Sequence, residues 1–307
     1  MKIWFILVLV SFAFTLRAQK TDSIQQAVYQ QANEKLAANA LAPAVVQYSQ
    51  LIAGGFSNKE VWLQRGTAYF LQNEWAKAKA DFDQAVSGRI ETAAVFNMRG
   101  QCRYQLEDIA GAASDLEKAV ALGANQYETF VFLGNAKFKL EKYKEAISFY
   151  DQALARKADA VLLNNRGKAR FITGDLPGAV ADFTKALELK PDYEKALENR
   201  AEAYYKIPNW KAAAEDFARL TVAGRTDTDF LQKLGTAQYY SANYAAAIAA
   251  FAPVVAKGIK SKELFSMLGL SYAQQKDPAK AAQALAAATS LGVTDLPVLE
   301  ALGIAQY

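Results

Sequence analysis

Arginine and aspartate recur in register along this chain. Arg65, Arg99, Arg166 and Arg200 each stand one residue before a small residue. Asp81, Asp115, Asp182 and Asp216 follow sixteen residues later, each one before an aromatic residue or leucine. Where one partner is missing, so is the other. Gln31 goes with Gln47, Leu133 with Phe149, Leu234 with Ala250, and Leu268 with Ala284. A half-buried charge is costly alone, and a guanidinium can hold a carboxylate through two parallel bonds. The spacing therefore predicts ion pairs between two elements of one repeat, a structural chemistry rather than a catalytic one.

Other chemistry is thin. The 307 residues include one cysteine, Cys102, and no histidine. That excludes a histidine-based triad or metal site. A lone cysteine forms no intramolecular disulfide, and Cys102 falls in the middle of a helix, so it reads as a small buried hydrophobe. No nucleophile–base pair, phosphate loop or ligand cluster can be assembled. No catalytic residue, metal or cofactor is expected, and the chain does not read as an enzyme.

A net charge of +4 is too balanced to imply nucleic acid or an anionic membrane. Arg103, Lys137 and Arg170 form a basic series, expected to be solvated charges or to reach one rim of a groove and attract an acidic segment.

The elements that must hold these residues are short amphipathic helices, with apolar positions three and four apart. The clearest copy is Asn165–Arg200, where Gly167, Ala179, Phe183, Ala186 and Pro191 set the frame. The small residue recurs as Ala32, Gly66, Gly100, Gly134, Gly167, Ala201, Gly235, Gly269 and Gly303, 34 residues apart except for one 33-residue step. Alanine follows twelve residues on, and an aromatic residue or leucine four beyond that, as in Ala78 and Phe82. Pro177 falls in a first helical turn, where its missing N–H costs nothing. Pro253 falls deep within a helix and should remove a hydrogen bond and kink it.

This pattern resembles the tetratricopeptide repeat, a 34-residue helix–turn–helix. The resemblance implies an all-α, right-handed α-solenoid of about eight repeats over 19–292. Residues 293–307 would then be the first helix of a ninth repeat or a capping helix, with Leu296, Leu299, Leu302 and Ile304 covering the eighth.

The resemblance further implies that first helices line a concave groove for a protein or peptide partner. The groove positions are Asn97, Gln101, Tyr104, Asn135, Phe138, Asn164, Lys168, Phe171, Lys195, Glu198, Glu202, Tyr205 and Tyr239. Their aromatic members, with Phe70, form a row four residues after the small residue, and a stripe at that spacing is commonly core packing. Some members of the family grip a carboxylate terminus with lysines, asparagines and an arginine. Asn135, Asn165 and Lys195 stand at such places here, but Val131 and Asn199 fill the other two, so no such clamp is expected.

Met1–Ala18 has Lys2, then the apolar run Ile3–Leu16, then small Ala18, in the order of a secretory signal peptide. Its apolar run is short for a membrane span, which takes about 20 residues. Cleavage would leave 33 basic and 31 acidic residues, a charge of +2, and no integral span. The expected protein is an exported interaction scaffold of the periplasm or cell envelope, or a secreted one. The alternatives are a targeting module of a longer enzyme or transport protein continuing beyond Tyr307, and a polysaccharide binder using groove tyrosines.

Overall fold

Helices form here because apolar residues recur at helical spacing, and they stay short because polar caps and left-handed residues cut them off. The structure, a computed structural model, describes residues 22–305, which divide after Lys157 into two compact units. Every regular element among the described residues is helical.

In the N-terminal unit α1 (22–37) precedes α2 (Leu41–Ala53). Then come α3 (Glu60–Leu71) with α4 (Trp75–Ser87), α5 (Ala93–Gln105) with α6 (Ile109–Ala121), and α7 (Tyr127–Lys139) with α8 (Tyr143–Leu154). The C-terminal unit holds α9 (Ala160–Ile172) with α10 (Leu176–Leu189), and α11 (Glu194–Lys206) with α12 (Trp210–Val222). It continues with α13 (Thr228–Tyr240) and α14 (Tyr244–Ala256), α15 (Lys262–Gln274) and α16 (Pro278–Ser290), and finally α17 (Leu296–Ala305). Each unit is a run of helix pairs stacked on their neighbours, the α-solenoid arrangement.

The frame residues explain the pairing. Gly167 lies so close to the second helix of its repeat that an added Cβ would sit 2.6 Å from the Phe183 ring. Phe183, Phe217 and Phe251 are fully buried beneath the first helices, each stabilising by about 1.5–3 kcal/mol relative to exposure. Ala78, Ala112, Ala146, Ala179 and Ala213 are inaccessible to solvent, so paired helices approach closely over them.

Ends are set by local chemistry. Thr92, Asp108, Asp159, Asp175, Asp227 and Asp277 each accept a backbone N–H at the start of a helix. Between α9 and α10 the chain turns through Gly174 at φ 86°, a conformation open to glycine.

Pro177 and Pro278 sit at the beginnings of α10 and α16, as their positions predict. Pro253 does not stop α14, which runs through it to Ala256. The last helix, α17, is anchored by Val298, buried beside Leu285, Ala288 and Val293. The side chains of Leu296, Leu299, Leu302 and Ile304, and the whole of 1–18, lie outside the described residues. No helix among the described residues is long and apolar enough to cross a membrane.

Candidate functional site

The four arginines and four aspartates meet in the gap between the helices of their own repeats. Arg65 donates from Nε and Nη2 to the two oxygens of Asp81, both at 2.8 Å. Arg99 holds Asp115 at 2.8 and 2.7 Å, and Arg200 holds Asp216 at 2.7 and 2.8 Å. Arg166 grips Asp182 through the same two nitrogens. All four carboxylates are buried. Bonding to Asp81 and Asp216 raises the pKa of Arg65 and Arg200 above the ordinary guanidinium value, so both stay charged.

The third nitrogen does something the sequence reading did not foresee. Nη1 of Arg65 reaches Ser49 at 3.0 Å, that of Arg99 reaches Asp83 at 3.0 Å, and that of Arg200 reaches Thr184 at 3.2 Å. Each acceptor follows the aromatic residue in the second helix of the preceding repeat. One arginine therefore closes its own helix pair and ties it to the pair before.

The repeats lacking the pair fill the gap differently. Gln47 donates to Gln31 in the first. In the fourth, where Leu133 faces Phe149, Lys137 is buried between Glu117 and Glu145. Burial opposes its charge, but the two carboxylates outweigh that and raise its pKa above the ordinary lysine value. In the seventh and eighth, Leu234 with Ala250 and Leu268 with Ala284 leave the gap apolar.

The basic series is accordingly not solvated. Arg103 pairs with Asp115 and Arg170 with Asp182, each at 3.0 Å, which adds a second cation to those buried carboxylates. With Lys137 they belong to the scaffold rather than to a rim.

On the first-helix side, neighbouring repeats touch through α3 and α5, α5 and α7, α9 and α11, and α13 and α15. Lys168, Phe171 and Ile172 of α9 and Asn199, Glu202 and Lys206 of α11 face one another across a pocket of about 320 Å³ floored by Phe183. Its floor is aromatic and its edges carry two amines, a carboxylate and an amide. Three of the groove positions read from the sequence, Lys168, Phe171 and Glu202, meet here. Ile172, Asn199 and Lys206 are additions. Ile172 and Lys206 lie one helical turn beyond Lys168 and Glu202, so the i+4 rule could have found them.

Nearby polar groups are partly engaged. Glu202 accepts from Lys233 at 2.8 Å and Glu198 from Arg225 at 2.9 Å. Asn164 is buried and accepts from Asn199 at 2.7 Å, so it supports the pocket from beneath. Lys195 is exposed at the start of α11.

The remaining groove positions pack inside their own unit. Tyr104 stands edge-on to Phe132, and Phe138 to Tyr143. Asn135 accepts from the Tyr150 hydroxyl at 2.9 Å, joining the two helices of its repeat. Asn97 accepts from Thr129 and from Gln101. Tyr205 packs on Trp210 and Phe217. Tyr239 packs on Tyr244, and with Tyr240 lines a pocket of about 600 Å³ against α15 and the start of α17. The aromatic row thus does structural duty first, with Phe171 and Tyr239 also facing a cavity.

No group of acidic residues and cysteine that could hold a metal occurs among the described residues. Cys102 is buried, which pushes its thiol up to about 12.

Models of the tetratricopeptide repeat match residues 63–127, 127–159, 167–207 and 233–292. Among solved structures, YrrB, described as a TPR protein with an unusual peptide-binding site, is 23% identical with a TM-score of 0.51. The match covers 56% of this chain and 89% of that one. The C-terminal part of a TPR repeat-containing protein from Cytophaga hutchinsonii is 17% identical with a TM-score of 0.50 over 89% of this chain and 99% of its own. No protein of curated function matches. These structural likenesses speak to the fold. Helix pairs with this frame and repeat-model matches in both units have one meaning: the chain belongs to the tetratricopeptide repeat family, whose members bind protein or peptide partners.

Proposed function

We propose that this protein is a non-catalytic scaffold that binds a segment of a partner protein along its first-helix side, after export to the cell envelope. The observation that carries the reading is the pocket between α9 and α11. It offers an apolar floor, Phe171 and Phe183, within reach of Lys168, Lys206, Glu202 and Asn199. A few convergent polar groups around an apolar floor give orientation and affinity together. A fitting segment places an apolar side chain over Phe183 and a carboxylate near Lys168 and Lys206. The peptide-binding site described for YrrB supports a peptide-binding role by analogy. Export rests on the charged, apolar and small-residue order of Met1–Ala18.

The test is cross-linked affinity capture from the envelope fraction of producing cells, with the wild type beside Lys168→Glu/Lys206→Glu. Both side chains are exposed, so the variant should fold. Loss of a wild-type partner from the double variant supports the reading. Retention of every partner overturns it.

A further inference from the structure

The second-helix side changes character at the seventh repeat. In the second, third and sixth repeats an arginine crosses from its own aspartate to a polar residue on the preceding second helix. Between the sixth and seventh repeats all three members of that bridge are replaced by apolar residues. Leu234 stands for the arginine, Ala250 for the aspartate and Ala218 for the polar acceptor. Instead of a bridge there is a slot of about 590 Å³ between α12 and α14, floored by α13.

The slot is more than a run of alanines. Leu231 and Leu234 form the floor and Pro253 one wall, and Val222 at the edge is 92% exposed. Between Asn243 and Lys257, α14 carries no charge. The only charged side chain lining the slot is Lys257, at the C-terminal end of α14. Neither Lys257 nor the nearby exposed Lys260 has an ion-pair partner among the described residues.

We infer that this slot docks an amphipathic helix of a partner protein, one with an apolar face and carboxylates in its first turn. The backbone around the slot is consumed in helices, so an occupant is held by side-chain packing and not by strand pairing. A helix instead offers an i, i+4 apolar ridge to the groove between α12 and α14. Charge sets its direction. Laid antiparallel to α14, it brings its own N-terminus to Lys257, where first-turn carboxylates satisfy both its dipole and the lysine. This surface is separate from the α9–α11 pocket.

The probe is a fluorescent model helix of ~18 residues with leucines at i, i+3, i+4 and i+7 and glutamates in its first turn. A second peptide replaces those glutamates with lysines. Fluorescence anisotropy compares the full chain with a closure variant, Ala218→Thr/Leu234→Arg/Ala250→Asp, which installs the bridge used elsewhere in the chain. Binding of the glutamate peptide should weaken at least about tenfold in the closure variant. Because the changes at buried Leu234 and Ala250 could disturb folding, Lys257→Glu, an exposed change, is measured alongside. It should switch preference to the lysine peptide. Equal affinity of wild type and a folded closure variant overturns the proposal, as does unchanged peptide preference in Lys257→Glu. Self-association of the wild type that the closure variant abolishes, with no peptide binding, would assign the slot to a second copy and also overturn it.

Discussion

Nη1 of Arg99 donates to Asp83 across 3.0 Å, from the first helix of one repeat to the second helix of the repeat before. The other nitrogens of the same guanidinium hold Asp115 within its own repeat. Solenoid stability is roughly a sum of repeat and interface terms. A residue in both terms should weaken both when removed, and that makes the arginines more than local pairs.

The buried pair in the fifth repeat is the sharpest case. Asp182 accepts from Arg166 and from Arg170 and is almost wholly buried. Asp182→Ala should cost about 3 kcal/mol in urea unfolding, since it strands cations near the core. Arg166→Leu/Asp182→Ala recreates the seventh repeat's Leu234 with Ala250 and should cost less than the single change. Additive losses in the double-mutant cycle would show that the two residues do not interact.

Close approach at the small frame position predicts a second effect. In Gly167→Ala the new methyl would sit 2.6 Å from the Phe183 ring, which is itself buried, so ring or helix must shift. A loss of about 1–3 kcal/mol is expected, with a matching fall in melting temperature. An unchanged melting curve would mean that the helices can separate freely.

Cys102 should resist thiol reagents in the folded protein at pH 8, because burial holds the thiol protonated. The native state keeps this proton to higher pH than the unfolded chain. Burial of the thiol therefore favours folding below the unfolded thiol's value, about 8.5, and that stabilisation is lost as pH rises toward about 12. Cys102→Ala should lessen the alkaline loss of stability. Rapid labelling of the native protein would contradict this.

The proposed export is tested at the N-terminus of the recovered protein. Protein recovered from the envelope fraction should begin at Gln19, after Ala18. A product still starting at Met1 would contradict cleavage there.

The repeat was legible in the sequence because its determinants are local. A small residue, an alanine twelve on and a ring four beyond carry the helix contact wherever they occur. The arginine–aspartate pairs were legible because copies in one chain could be compared. The third arginine bond was hidden, since its acceptors Ser49, Asp83 and Thr184 share only polarity. Lys137 was misleading for a related reason. It is held by Glu117 on the preceding second helix and Glu145 at the start of its own repeat's second helix, and that pair of carboxylates has no counterpart in the other repeats. The aromatic row looked like a groove surface, yet Phe70, Phe138, Tyr205 and Tyr239 each pack on the residue five positions later, Trp75, Tyr143, Trp210 and Tyr244. That contact depends on the turn geometry, which periodicity does not reveal.

The most direct test of the scaffold reading places a photo-cross-linking amino acid at Ile172, on the pocket's edge, or at Lys185, on the exposed side of α10. Illumination in producing cells should yield a partner adduct from position 172 and none of that adduct from position 185. An adduct formed equally at both positions, or at 185 alone, would contradict binding along the first-helix side.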